Sequence, residues 1–543
     1  VTITGADLVH RALRALGVEH VFGIVSVHNI PIYDAILRHG GIKPIDMRHE
    51  QAAVHAADGY ARSGGKLGVA ITSTGPGACN AVPGLYEAAF ASSPVLMLTG
   101  QIDTPYLGKG KGFLHEAERQ LEMLRTVTRR AEQVRSADEI AKVILRVAAD
   151  AQTPRPQPGA VEIPIDLQYQ QIADAAVVAP DRVATGLDTA AIADAARLIG
   201  ETTRRVIWAG GGVVSGAAAA SLQRLAEALD APVFTSGSGR GAIPEDHALA
   251  MGPLTVIPEM RKTLAAAELV IAVGTRFQGN ATGNWTLTLP RLIHIDADAG
   301  VVNRNYHADV AVIGGAVNAL DALLTAQNAQ PGDPEFLRQA QQHRDAARAG
   351  IRAQMGPDHE RIMDAIRKGL PRQGNIVRDA TVPAYIWGNR LLPILTPRTS
   401  LSTTSAAIGP GLPLAIGAAV ATGQKTVVIQ GDGGFMLHIG ELATAAQYRL
   451  PIVVCLFNDR GYGVLRMIQK MRFDGRTTGV DIRTPDFVAV ARGMGVHAEA
   501  VGSAAAFETA FVRAMSASGP VLLDIDMNAL APMGDLFGRP RPA

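Results

Sequence analysis

Two distant stretches of this chain can be laid over one another with almost no gap: LGVAITSTGPGACNAVPGLYEAAFASSPVLMLTG at 67–100 and KTVVIQGDGGFMLHIGELATAAQYRLPIVVCLFND at 425–459. Each reads as an apolar strand, a Gly-bearing turn, a helix with a G-L-Y-E or G-E-L element, and a second strand that opens on Pro. Each also follows a helix of small residues, HEQAAVHAADGYARSG in one and IGPGLPLAIGAAVATG in the other. Such a repeat restricts the fold to one that contains the same α/β unit twice, and it suggests a site built between the copies. The turns differ, S-T-G-P-G against G-D-G-G, so the duplicated frame carries two different chemistries.

Short apolar runs alternate with segments of helical period along the rest of the chain, as in RVIWAG, LVIAVG, LIHIDAD and PVLLDID. This alternation predicts an α/β protein of parallel sheets. Two stretches interrupt it: 168–190 is extended and polar, and 326–356 is a Pro/Gly turn followed by a highly charged helix. Both read as linkers. They divide the chain into three Rossmann-like, doubly wound domains over 1–170, 185–328 and 355–535, and 543 residues is too long for one core.

Hydrophobic residues make up 47% and charged residues 19%, which suits a globular protein with much buried surface and a subunit interface. A net charge of +1 with no basic block gives no electrostatic footprint for nucleic acid. No long apolar run or signal-peptide pattern predicts membrane insertion or secretion. Two cysteines, Cys79 in a Gly-rich turn and Cys455 in an apolar run, read as free thiols in a reducing compartment, so a cytoplasmic location is expected.

GDGGF at 431–435 follows a buried strand and opens a helix, so its amides can receive a phosphate. Asp432 in that turn would repel the anion unless a cation lay between them, which is how Mg²⁺ bridges a carboxylate and a diphosphate. One helix and one strand later comes FNDRGYG, 457–463. Neighbouring parallel strands end side by side, so Asp459 can bring a second oxygen to the same ion.

GDG followed by a segment ending in N-D resembles the metal-diphosphate motif of thiamine diphosphate (ThDP) dependent enzymes. RHEQAAVHAADGYAR is similar to their glutamate segment, and STGPG with Asn80 to the adjoining turn of their pyrimidine-binding domain. The likeness runs over nearly the whole chain. It is nearest the group of acetolactate synthase, benzaldehyde lyase and benzoylformate decarboxylase. The resemblance implies pyrimidine-binding, middle and diphosphate-binding domains in that order. It implies Asp432, Asp459 and the Gly461 carbonyl as Mg²⁺ ligands. Cofactor contacts are implied at Thr74, Gly75, Pro76 and Asn80, at Thr381 and Ala406, and at Gly431, Gly433, Gly434 and Tyr462. The family motif usually ends in two Asn; Asp459 in place of the second keeps a hard oxygen donor and adds a negative charge.

A carboxylate in a helix's first turn can be a simple cap. The resemblance instead makes Glu50 a reagent: it hydrogen-bonds the aminopyrimidine and promotes the imino tautomer, whose nitrogen takes the thiazolium proton, in a dry site. Ala52, Ala53 and Ala56 are expected to let the ring approach. In the family the glutamate comes from one subunit and the diphosphate site from another. A homodimer is therefore the smallest active unit, with a homotetramer expected. Ile408 is implied as the apolar wedge that folds the cofactor into a V.

Many relatives carry F-G-x-P-G where this chain has FGIVSVHN at 22–29. His28 falls where benzaldehyde lyase has an active-site histidine. His115 falls where related enzymes have a glutamine or, nearby, a histidine. Either imidazole can relay protons to a substrate oxygen. The middle segment WAGGGV with IAVGTRFQGN is Rossmann-like but a weak dinucleotide fingerprint. FAD, another nucleotide or nothing remain open there, with Gly210 and Arg276 as the expected contacts. The expected activity is a carboligase or lyase acting on 2-oxo acids or acyloins. The alternatives are an FAD-containing acetolactate synthase subunit, a 2-hydroxyacyl-CoA lyase-like enzyme and a non-catalytic nucleotide-binding protein.

Overall fold

The computed structural model describes residues 2–180 and 186–534; part of the polar 168–190 stretch and residue 535 lie outside them. Three six-stranded sheets form the frame, and every pairing within them is parallel. The central strands are buried Val- and Ile-rich runs such as Gly68–Thr72, Leu269–Val273 and Ile452–Asn458, the last with only Asn458 half-buried, as parallel sheets covered on both faces require.

With strands numbered in chain order within each sheet, the first and third share the order 2-1-3-4-6-5, while the middle one runs 3-2-1-4-5-6. The internal repeat is thus a repeat of topology. The middle order is that of dinucleotide-binding folds. In each sheet the chain leaves its first strand to one side and returns on the other, which creates a crevice at the carboxyl ends of two neighbouring strands. The flanking strands are His20–Gly23 and Gly68–Thr72 in the first sheet, Arg205–Ala209 and Leu269–Val273 in the second, and Asn375–Arg378 and Thr426–Gly431 in the third.

The first and third domains share one core through two helices of small residues, Glu50–Gly64 and Gly411–Thr422. Where they cross, a Cβ on Gly59 would lie 2.8 Å from the Leu414 carbonyl carbon, and one on Gly417 would lie 2.6 Å from the Tyr60 nitrogen. Backbones meet here because side chains are missing. Ala52, Ala53 and Ala56 are fully buried in the same core. Their size serves helix packing, which corrects the expectation that they make room for a ring.

The charged stretch after the middle domain is more than a linker. Its helix, Pro334–Gly369, buries Phe336, Ala340, Ala347, Ile351 and Met355 along one stripe, in a core that also takes Met260 and Leu264 of the middle domain. Gly356 breaks the helical backbone just before Pro357. Among the described residues no helix is long and apolar enough to cross a membrane.

Candidate active site

The crevice of the first sheet holds the residues expected to handle protons. Glu50 opens its helix after His49, whose Nδ1 accepts from the Gln51 N–H. Glu50 is half-buried and its Oε2 accepts from Asn80 Nδ2 at 3.0 Å. A Cβ on Gly77 would come within 3.2 Å of Glu50 Oε1, so the second glycine of STGPG leaves room for the carboxylate. Pro76 starts the helix Pro76–Ala91, where a missing N–H costs nothing.

The STGPG turn is anchored from behind. Gln120 Oε1 accepts from the Gly75 N–H at 2.7 Å and from Thr74 Oγ1 at 2.9 Å, while Gln120 Nε2 donates to Glu162 at 2.8 Å. Glu162 is fully buried, and burial pushes its carboxyl up to about 7 against the hydrogen bonds from Gln120 and Gln133. Gly75 takes φ +59°, and a Cβ on it would lie 2.5 Å from the His115 carbonyl oxygen, so the turn and the His115 loop touch. His115 itself has a positive φ and its Nδ1 lies 3.4 Å from Ser73 Oγ.

His28, far away in sequence, meets it: the two imidazole centroids are 5.1 Å apart. His28 is buried with Nδ1 unpartnered, and burial, reinforced by the His115 ring, lowers its pKa. A neutral buried imidazole with a free ring nitrogen can accept or hand on a proton.

The crevice of the third sheet holds the metal and diphosphate candidates. Asp432 is buried; its Oδ2 accepts from the Gly461 N–H at 2.8 Å and its Oδ1 has no partner. Asp459 comes alongside from the next strand. Burial raises both carboxyls, and the Asp432 charge raises Asp459 further. Glycines clear the space: a Cβ on Gly463 would overlap Asp459 Oδ2, and one on Gly433 would lie 2.6 Å from Tyr462 and 3.0 Å from the Gly461 carbonyl oxygen. One on Gly431 would lie 2.9 Å from Thr381 Oγ1.

An orphaned, buried carboxylate oxygen beside a second carboxylate is an oxygen donor set suited to Mg²⁺. Among the described residues no three His, Cys, Asp or Glu side chains gather as a metal site, so an ion held here would need further oxygen ligands from elsewhere. The residues present therefore fit the implied metal and cofactor.

Sequence reading missed what holds the loop of Ile408, the expected wedge. Asp379, buried at the end of Asn375–Arg378, accepts from the N–H groups of Ala380, Gly409 and Gly411 and from Gln430 Nε2 at 2.6 to 3.0 Å. Burial pushes it up to about 6 against those bonds. His438, lowered to about 4 by burial, is neutral and donates from Nδ1 to the Gly409 carbonyl at 3.1 Å. Gly409 is thus held at both ends, and Ile408 next to it lies against Gly434, whose Cβ would be 3.7 Å from that of Ile408. Ile408 and Ala406 stay exposed, and Ala406 has φ +64°. The only signal available was an Asp directly after a strand, which is common in any α/β protein.

Within one chain, no hydrogen bond or ion pair among the described residues joins Glu50 or His28 to Asp432, Asp459 or Ile408. A cavity of about 1040 Å³ opens at the middle crevice, lined by Gly211, Gly212, Thr275, Arg276 and Asp296, and extends to Ala406. Arg276 is among the residues that line this cavity. Gly210 is corrected: it packs against Gly274, and the glycines after it face the cavity.

The thiamine pyrophosphate enzyme family matches this chain in three parts: its N-terminal TPP binding domain at residues 3–123, its central domain at 192–323 and its C-terminal TPP binding domain at 383–525. A probable acetolactate synthase large subunit of Methanocaldococcus jannaschii is 34% identical over 548 residues, covering 96% of this chain and 91% of the relative. A probable 2-ketoarginine decarboxylase of Pseudomonas aeruginosa is 35% identical, covering 91% and 89%. The acetolactate synthase isozyme 3 large subunit of Escherichia coli is 32% identical, covering 91% and 89%. With the family spanning all three sheets, the chain belongs to the thiamine pyrophosphate enzymes and is a ThDP-dependent enzyme of the acetolactate synthase type.

Proposed function

We propose that the chain is a Mg²⁺- and ThDP-dependent enzyme that makes or breaks the carbon–carbon bond beside the carbonyl of a 2-oxo acid or acyloin. The observation that carries this reading is the unpartnered, buried Asp432 Oδ1 beside Asp459 at the switch point of the third sheet. Bound ThDP supplies the carbon nucleophile and electron sink for that bond. Asp432, Asp459 and the Gly461 carbonyl would hold the ion, the Gly433 and Gly434 amides would receive the diphosphate, and Ile408 would pack against the cofactor. Glu50 would hydrogen-bond the aminopyrimidine and hold the shared proton, and His28 with His115 would move protons at the substrate oxygen.

A homodimer is the proposed active unit, with a tetramer the larger assembly. In one chain Glu50 is half-buried and, among the described residues, its side chain hydrogen-bonds Asn80 alone, so a second copy is needed to dry it. A second reading, acetolactate synthase proper with FAD, is favoured by the cavity reaching from the Rossmann-ordered middle sheet to Ala406. A flavin spectrum of the purified protein separates the two.

Deuterium exchange at the thiazolium carbon tests the assignment of Glu50. The variant Glu50→Gln keeps fold and cofactor binding but exchanges and turns over about two or more orders of magnitude more slowly, the scale of lost acid–base catalysis. Exchange at the wild-type rate removes Glu50 from the chemistry.

A further inference from the structure

The metal turn carries more negative charge than a single Mg²⁺ offsets. Two carboxylates and a diphosphate together bring about four or more negative charges against two positive. Where the family motif has Asn, this chain has Asp459, so one of those charges is its own addition. The structure shows what faces it.

Arg466 lies on the helix Gly463–Arg472 that leaves the turn, and it is about four-fifths buried, with 19% of its side chain exposed. Its Nη1 is 3.3 Å from Asp459 Oδ2 and donates at the same distance to the Asp459 carbonyl. Its Nη2 donates to the Arg460 carbonyl at 3.2 Å, and its Nε to Asp481 at 2.7 Å. The guanidinium lies directly over Gly461, where any Cβ would overlap it. Gly461 is the residue whose N–H holds Asp432 and whose carbonyl is the third metal donor. The same segment is bridged to 480–482: Tyr462 N–H donates to the Val480 carbonyl at 2.8 Å, and Gly461 pairs with Asp481. Arg466 spans both sides of that bridge.

We infer that Arg466 is a positioning residue of the metal turn: it supplies the counter-charge for Asp459 and fixes the 459–461 loop so that its oxygens converge with Asp432. Arginine suits this because its planar fork reaches a carboxylate and several carbonyls at once without losing its charge. The inference rests on Asp432 and Asp459 being metal ligands.

A double-mutant cycle read by calorimetric titration of ThDP into apoprotein at saturating Mg²⁺ tests it without recourse to turnover. Arg466→Met weakens ThDP binding about tenfold or more in the native background, but less than about threefold in Asp459→Asn, because the charge it neutralised is gone. Equal losses in both backgrounds overturn the inference, since they show that Arg466 only ties backbone carbonyls together. Arg466→Lys guards against misfolding of the Met variant. It keeps the charge but loses the fork, so it binds ThDP more weakly than wild type and clearly more tightly than the Met variant, whereas a loss as large as that of Met overturns the counter-charge role. Failure of the underlying metal reading looks different: ThDP would then bind equally with and without EDTA, and equally in Asp432→Ala.

Discussion

Gly417→Ala tests whether the crossing of the two small-residue helices sets the geometry of the site. A Cβ at 417 would lie 2.6 Å from the Tyr60 nitrogen and inside the Ala56 carbonyl oxygen, against an ordinary contact of about 3.5 Å. The helices must therefore part by about 1 Å. Overpacking of this kind costs about 1–3 kcal/mol, and the better helical propensity of Ala offsets up to about 1 kcal/mol, so the net loss is centred on about 1–2 kcal/mol. By differential scanning calorimetry the melting temperature falls by about 2–8 °C. Turnover falls too, by up to about 10²-fold, because the same helices carry Glu50 at one N-terminus and follow the Ile408–Gly409 loop at the other. Gly350→Ala is the control. Gly350 lies inside the helix Pro334–Gly369 with nothing within 4 Å of its Cβ, so the same change there stabilises by up to about 1 kcal/mol. If Gly417→Ala raises the melting temperature as Gly350→Ala does and leaves turnover alone, the crossing is not tight and the reasoning is refuted.

His28→Ala leaves ThDP binding and thiazolium exchange intact but lowers turnover about 10²- to 10⁴-fold with little change in KM; normal turnover with a raised KM would make His28 a pocket wall. Glu162 sets a pH dependence of stability. Its carboxyl, at about 7 in the fold against 4.5 unfolded, holds a proton that the unfolded chain releases between those values. Its contribution thus favours the fold below pH 4.5 and declines as pH rises to 7, by at most about 1.4 kcal/mol per pH unit. Glu162→Gln removes that decline, so the variant gains on wild type from pH 5 to pH 8 in thermal melts. Parallel curves would place the titration elsewhere.

The sequence by itself determined the frame and pointed to the candidate reagents. Strand positions were legible because parallel strands buried on both faces are continuous apolar runs, and the repeat was legible because its two copies have the same order of elements. Glu50, Asp432 and Asp459 stood out because a carboxylate beside a Gly-rich turn at a strand end has few structural uses. Tertiary structure alone decided what those groups meet. His28 and His115 face each other because two loops of one crevice converge, which spacing along the chain cannot show. The Ile408–Gly409 loop is held by Asp379 and His438, residues with no local pattern, because its unpaired amide and carbonyl had to be satisfied in a buried place. The alanines after Glu50 carried a signal for close approach, but only the packed helices show that the approaching group is another backbone. Arg466 likewise reads in sequence as one more charge on an amphipathic helix, and its placement over Gly461 follows from the fold of a loop that comes back from Val480. Local pattern fixes which groups a chain carries into its crevices; which groups face one another depends on contacts between segments far apart, and those are set by the packing of the whole.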